Sequence, residues 1–228
     1  MTAFSFTCLI PAYNEAARIG PVLDVVLALP LLAQVIVIDD GSTDDTHAIA
    51  QTKGARVIRT PGNLGKTRAL ALGLQAVQTS HVVLIDADLI GLSAQALTAL
   101  IDPVLRGAVS ATISLRGNAP RTWRLIGIDY ISGERVIGMD LLAGQQAQLA
   151  GLPRFGFEVF LNRLLIARNA PIEIVPWPGV VSPSKAAKRG VVAGIKADLA
   201  MMADIFHTIG PLDCLRQITA LRRLRQVS

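Results

Sequence analysis

The chain has little of the material from which most diagnostic signatures are written. Its 228 residues include two cysteines, Cys8 and Cys214, far apart and without metal-ligand spacing. They read as reduced, buried thiols in a cytoplasmic protein, which excludes a disulfide framework or a zinc site. The three histidines, His47, His81 and His207, are scattered and read as structural or solvated groups. Aromatic residues make up 4% and charged residues 17%. With no aromatic-rich or base-reading motif, nucleic acid is not an expected partner. Apolar residues reach 51% and mean hydropathy is +0.47. Charges nevertheless interrupt every apolar run well short of the roughly 20 residues a membrane helix needs. The opening "MTAFSFTCLIPAYNE" has no basic stretch and does not read as a signal peptide. Internal repeats and low-complexity tracts are missing as well.

What the chain does have is a regular alternation of two periods. The apolar runs "FTCLIPA", "AQVIVIDD", "ARVIRT" and "HVVLIDAD" read as strands. The stretches up to Leu29, from Ser42 to Gly54, from Leu64 to Val77 and from Ser93 to Leu105 read as helices. This pattern implies a parallel sheet covered on both faces, in one domain of ordinary size. The second half is less regular. Strands are expected in "AVSATISL" and "PIEIVPWP", and helices within "PRFGFEVFLNRLLIARNA", over residues 190–209 and over residues 211–228.

One turn poses a question. "PGNLGKTRAL", Pro61 to Leu70, ends in Gly-Lys-Thr like a phosphate-cradling P-loop. A P-loop needs a glycine five residues before the one that precedes lysine, and that position is Thr60. The loop is too short for an NTPase. Acids stand instead at the ends of three of the four strands: Glu15 after "LIPAYN", Asp39 and Asp40 after "VIVI", and Asp86 and Asp88 in "DAD". In open α/β sheets ligands bind at the carboxyl ends of the strands. Glu15, Asp39 and Asp40 there suit a base and ribose. Asp86 and Asp88 suit a hard divalent cation bridging diphosphate oxygens, with Lys66 adding positive charge.

"LIPAYNE", "VIVIDDGSTDDT", "PGNLGKTRAL" and "VVLIDADL", in this order and spacing, resemble the nucleotide-sugar half of glycosyltransferase family 2, over about residues 5–106. The resemblance implies the GT-A fold, a mostly parallel Rossmann-like α/β sheet flanked by helices with a helical C-terminal extension. It also implies a UDP- or GDP-sugar donor with Mg²⁺ or Mn²⁺. Pro11, Tyr13, Glu15, Asp39 and Asp40 would then frame the nucleoside, with Lys66 near it. Asp86 would lie against nucleotide, sugar or metal, and Asp88 would be the principal metal ligand.

Further on, "DYISGERVI" resembles the D-x-x-S-G-x-R segment of polyprenol-phosphate sugar transferases, matched at Asp129, Ser132, Gly133 and Arg135. "RFGFEVFLNRLL" resembles their Phe-Asp/Glu helix, which puts Glu158 at the acidic position. "WPGVVSPSK" resembles their later basic loop, ending in Lys185. The resemblance implies a lipid-phosphate acceptor held by Ser132, Arg135 and Lys185, with Asp88, Glu158 and Arg135 as catalytic groups. Glu134 in place of an aromatic and Thr67 in place of glycine depart from the pattern. A soluble or polysaccharide hydroxyl acceptor is the rival reading, and it would make Glu158 a general base. A silent nucleotide-sugar-binding protein is another alternative. A sugar-nucleotide pyrophosphorylase is disfavoured by "IPAYNE" in place of a glycine- and arginine-rich loop.

Asp44 and Asp45 read as first-turn helix acids favoured by the dipole. The expected organisation is a transferase domain over residues 1–210, with a donor half at 1–106 and an acceptor half at 107–210. A basic amphipathic helix at 211–228 follows, carrying Arg216, Arg222, Arg223 and Arg225. That helix reads either as solvated or as lying on the cytoplasmic face of a membrane, with Leu215, Ile218, Leu221 and Leu224 toward lipid.

Overall fold

The computed structural model describes residues 4–145, 148–149, 151–152, 156–183 and 210–226. Lys185, His207 and the helix expected over residues 190–209 lie outside the described residues. Among the described residues, seven strands form one sheet: β1 (Phe6–Ala12), β2 (Leu32–Asp39), β3 (Arg56–Arg59), β4 (His81–Leu84), β5 (Ala111–Arg116), β6 (Arg135–Gly138) and β7 (Ile172–Trp177). Their order is β3-β2-β1-β4-β6-β5-β7. All run parallel except β6, which is antiparallel to both of its neighbours. The mostly parallel α/β sheet expected from the alternation is therefore present. The strand that reverses direction was not anticipated, since its four residues lie inside the "SGERVI" stretch.

Helices α1 (Ile19–Leu27), α2 (Thr46–Thr52), α3 (Lys66–Gln75) and α4 (Ala94–Leu105) follow the first four strands. The second half adds α5 (Arg121–Ile126), α6 (Met139–Leu142), α7 (Gly156–Ala167) and α8 (Pro211–Leu224). Side chains alternate across the pleat with a period of two. Leu9, Ile36 and Ile38 enter the core on the α3, α7 and α8 side. Cys8, Ile10, Val35 and Val37 enter the core on the α1 and α4 side. Strands buried on both faces explain why "FTCLIPA" and "VIVID" are continuous apolar runs and not alternating ones.

Helix α8 departs from both readings of its sequence. Its stripe is used inside the protein: Leu221 is fully buried and Cys214 and Ile218 nearly so, in the same core cluster as Phe157 and Leu165 of α7. The buried Gln217 accepts a 2.8 Å hydrogen bond from the Tyr130 hydroxyl. After the helix, the Gln226 amide donates to the Ile172 carbonyl at 2.8 Å, at the start of β7. Ile218 and Leu221 do not face lipid because a larger apolar surface, that of α7, is available within the chain. Replacing Leu221 by alanine is expected to cost about 2–5 kcal/mol, read by chemical denaturation. A helix lying apart from the domain would show no change.

Candidate active site

The parallel strands all end at one edge, and β6 begins there, because Arg135 pairs with Leu84 of β4 and with Ile113 of β5. The antiparallel strand thus delivers the segment 129–134 to the place where the donor-half loops gather. The N-termini of α3 and α7 arrive at the same edge.

On the β1–β2 side the loops are tied to each other. The Ser42 hydroxyl accepts from the Asn14 amide at 3.0 Å, and the Thr46 hydroxyl from the Glu15 amide at 2.8 Å. Asp44, read from sequence as a first-turn acid, is a latch: its carboxylate accepts from the Ala16 amide at 3.1 Å and the Thr46 amide at 3.0 Å. Pro11 is half-buried at the end of β1, Tyr13 is exposed, and Glu15 pairs with Arg18 at 3.3 Å.

The two central acids turn inward. Asp39 is fully buried; its Oδ1 accepts from the Ser42 amide at 2.9 Å, and its Oδ2 lies 3.3 Å from both His47 Nδ1 and Arg59 Nε. Asp40 is 3% exposed. Its Oδ1 accepts from Thr60 Oγ1 at 3.0 Å and the Leu64 amide at 2.9 Å, and its Oδ2 from the Gly65 amide at 2.7 Å. Both carboxylates shape the loops of the site, at the edge where the sequence reading places a base and ribose.

Beside them, Lys66 opens α3 and its ammonium joins two elements far apart in sequence. Nζ donates to Asp86 Oδ1 at 2.7 Å, just past β4, and lies 3.2 Å from Glu158 Oε1 in the first turn of α7. Burial pulls the Lys66 ammonium toward the neutral form, but the Asp86 and Glu158 carboxylates outweigh it and hold the group above its usual range. Gly133 packs on this pair so closely that a Cβ there would stand 2.6 Å from Lys66 Nζ and 2.8 Å from both Asp86 oxygens. Any side chain would push the ion pair apart.

Asp88, two residues on, is half-buried in the turn after β4. Ile90 exchanges backbone hydrogen bonds of 2.9 and 3.0 Å with Val181, so the segment after β7 runs alongside the Asp86–Asp88 turn. Gly91 is required there: its φ is +77° and a Cβ would meet the Gly179 carbonyl at 2.2 Å. Asp86 and Asp88 carry hard carboxylate oxygens that could hold a divalent cation. Among the described residues no group of three or more His, Cys, Asp or Glu side chains forms a metal cluster. Two carboxylates leave room for substrate phosphates and water, which is how Mg²⁺ is commonly held.

Arg135 lies in the interior. It is fully buried, and its Nε, Nη1 and Nη2 donate to the Ser132 carbonyl (2.8 Å), Asn162 Oδ1 (2.6 Å) and the Tyr130 carbonyl (3.0 Å). Burial depresses this guanidinium and the nearby Glu158 and Asp129 carboxylates counter it. It clamps the loop before β6. Ser132 is also fully buried, bonded to Ser114 Oγ (2.8 Å) and Glu134 Oε2 (2.9 Å). The contacts the structure shows for Arg135 and Ser132, the residues expected to hold an acceptor, are internal ones.

Another guanidinium at this edge is Arg116, at the end of β5, which the sequence reading passed over. It is 3.3 Å from Asp129 and 3.4 Å from Glu134, and also donates to Ser182. Burial holds both carboxyls above their ordinary range, and Arg116 offsets this only in part. Glu134, noted as a departure from the family pattern, is an internal partner of Arg116, Ser114 and Ser132. Its only sequence signal was that departure, while Arg116 in "SLRGN" carried none.

Comparisons with known proteins agree with this geometry. Residues 7–155 match the model of "Glycosyl transferase family 2". The 4,4'-diaponeurosporenoate glycosyltransferase of Staphylococcus aureus (strain MRSA252) is 35% identical over 103 residues, 43% of this chain and 28% of that protein. This chain therefore matches less than a third of the length of that curated relative. A structure of glucosyl-3-phosphoglycerate synthase from Mycobacterium tuberculosis with Mn²⁺, uridine diphosphate and phosphoglyceric acid superposes with a TM-score of 0.64 at 26% identity, covering 85% of this chain and 78% of that one. Another, with Mg²⁺ and uridine diphosphate, gives 0.62 at 26%, covering 85% and 79%. The sheet with one reversed strand, the acids gathered at its carboxyl edge and a family match across most of the site segments converge on one assignment: this chain has the GT-A fold and belongs to glycosyltransferase family 2.

Proposed function

We propose that the protein is a metal-dependent, inverting glycosyltransferase that moves a sugar from a UDP- or GDP-sugar to an acceptor carrying a phosphate, a polyprenyl phosphate in the first instance. The observation that carries the reading is the meeting of Lys66, Asp86, Asp88 and Glu158 at the carboxyl edge of the sheet. Asp88, with Asp86, would hold Mg²⁺ or Mn²⁺, which when bound neutralises charge on the leaving diphosphate. Lys66 places a fixed ammonium beside that charge, where stabilisation grows as the sugar–phosphate bond breaks. The acceptor oxygen forms a bond to the anomeric carbon from the opposite face, and the nucleoside diphosphate leaves with the bonding pair. A phosphate acceptor arrives ionised and needs no base. A hydroxyl acceptor would pass its proton to Glu158, which leaves that residue a base in one case and an orienting group in the other.

A phosphate acceptor is favoured by Arg116, a guanidinium near this edge, since guanidinium binds phosphate oxygens in pairs. The M. tuberculosis structure with phosphoglyceric acid, itself a phosphate compound, supports the same class. The name of the S. aureus relative specifies 4,4'-diaponeurosporenoate, which keeps other lipid acceptors open. Among the described residues no helix is long and apolar enough to cross a membrane. Leu212 and Leu215 are exposed on α8 beside Arg216, and these residues, not the buried stripe, would lie against a lipid surface. Burial of Cys214, Ile218 and Leu221 in the main core supports counting α8 with the transferase domain.

The test is transfer of label from a panel of UDP- and GDP-sugars to polyprenyl phosphate in detergent, and in parallel to soluble phosphate and hydroxyl compounds. Label entering the organic phase with one donor, and lost with EDTA, is the expected result. Label only in a soluble product would move the acceptor assignment and keep the transferase. No transfer from any donor to any acceptor would leave a nucleotide-sugar-binding protein.

A further inference from the structure

We propose that Asp40 is a positioning residue for Lys66, acting through the turn between them and not by touching the donor. The inference rests on the reading of Lys66 as the cation beside the leaving group. Asp40 directly follows β2, and its amide donates to the Ala12 carbonyl at 2.8 Å, so its backbone is tied to the sheet. Two backbone donors from the Gly-Lys turn converge on its carboxylate, the Leu64 amide and the Gly65 amide, and the Thr60 hydroxyl, 3.0 Å from Oδ1, is shared between Asp40 and the Gly62 carbonyl at 2.8 Å. The second of the two amides belongs to the residue immediately before Lys66. Hydrogen bonds to a charged acceptor are about twice as strong as neutral ones, and here they bind backbone in two consecutive residues.

The turn needs to be held. Gly65 is the N-cap of α3 with φ +91°, and it offers no side chain to cap the helix. Left to itself, a turn carrying Gly62 and Gly65 has many conformations open to it. Two contacts remove that freedom. Asp40 holds it by charge, and Gly41 holds it by fit, since a Cβ at Gly41 would stand 2.6 Å from the Gly62 Cα and carbonyl carbon. With the turn held, α3 begins where Lys66 Nζ reaches Asp86 and Glu158. The resemblance of this segment to a P-loop is thereby explained: its glycines fold it around a protein carboxylate in place of a phosphate. At 3% exposure, and with both oxygens engaged, Asp40 has little left to offer a nucleoside.

Asp40→Asn keeps the shape but turns one acceptor into an NH₂ group facing a backbone N–H. A displacement of a catalytic group by about 1 Å costs about 10²-fold. The experiment is a double-mutant cycle on kcat and donor KM for wild type, Asp40→Asn, Lys66→Ala and the double variant, with the Kd of the nucleoside diphosphate measured alongside. The expected result is that Asp40→Asn lowers kcat by about 10²-fold, changes KM and Kd little, and adds less than about twofold once Lys66 is alanine. If Asp40→Asn does not fold, Thr60→Val removes one donor and should give a smaller kcat loss that also vanishes on the Lys66→Ala background. A loss that persists undiminished in the double variant, or that appears in Kd, overturns the inference and returns Asp40 to the nucleoside, with the role of Lys66 intact. A Lys66→Ala enzyme with normal kcat overturns both.

Discussion

Lys66→Ala lowers kcat for sugar transfer by about 10²- to 10³-fold, the range seen when one preorganised group facing developing negative charge is removed, and leaves the fold in place. The ammonium is partly open to solvent, with 37% of its side chain exposed, so its pairing with Asp86 and Glu158 contributes little net stability. What it supplies is a positive charge fixed in position before the donor arrives. That charge is permanent over the working range. The folded protein raises the Lys66 pKa, so whatever stability the shift contributes is fully present below the ordinary lysine value and is lost only as pH rises through the higher folded value. Between pH 6 and 9, no loss of activity should therefore trace to Lys66. Steady-state kinetics with a thermal melt of the same preparation check both halves. An unimpaired kcat would remove Lys66 from the mechanism.

Arg135→Leu has the largest expected effect on stability. The substitution leaves the carbonyls of Tyr130 and Ser132 without their Arg135 donors and the Asn162 side-chain oxygen without its 2.6 Å partner. Breaking a buried charged network by removing one member costs about 3–5 kcal/mol. For a chain of this size that lowers Tm by roughly 6–20 °C. A guanidinium serving only an acceptor would behave oppositely, with an unchanged melt and a raised acceptor KM. Arg135→Lys separates the two further, because it keeps the charge but cannot supply three donors in fixed directions.

The parts of this molecule legible in the sequence are those where one residue type answers one physical demand. Strands buried on both faces must be apolar throughout, so β1, β2 and β4 were readable. Acids at their carboxyl ends marked the edge where ligands bind. Ser93 before α4, which accepts a 3.2 Å hydrogen bond from the Ala96 amide, was a legible cap. Other features depend on what the chain meets after folding. Strand β6 is four residues long and is set by pairing with β4 and β5 on both sides, which no local period reveals. The amphipathic stripe of α8 is the same pattern whether it meets lipid or α7. Lys66, Asp86 and Glu158 each stood out as charged positions, but the ion pairs joining them span elements whose proximity only the topology provides. Asp40 and Arg135 show the sharper limit: both are motif residues whose side chains hold loops in the structure, and nothing in their sequence context reveals those contacts.

The central claim is a nucleotide-diphosphate site whose metal is held at the end of β4. It is tested most directly by calorimetric titration of UDP and GDP into the protein with Mn²⁺ and with EDTA, for wild type and Asp88→Asn. The account predicts that one nucleotide binds wild type in Mn²⁺, that EDTA weakens it by at least about tenfold, and that Asp88→Asn binds equally weakly with or without metal. Equal affinity for both proteins, unaffected by EDTA, would contradict it.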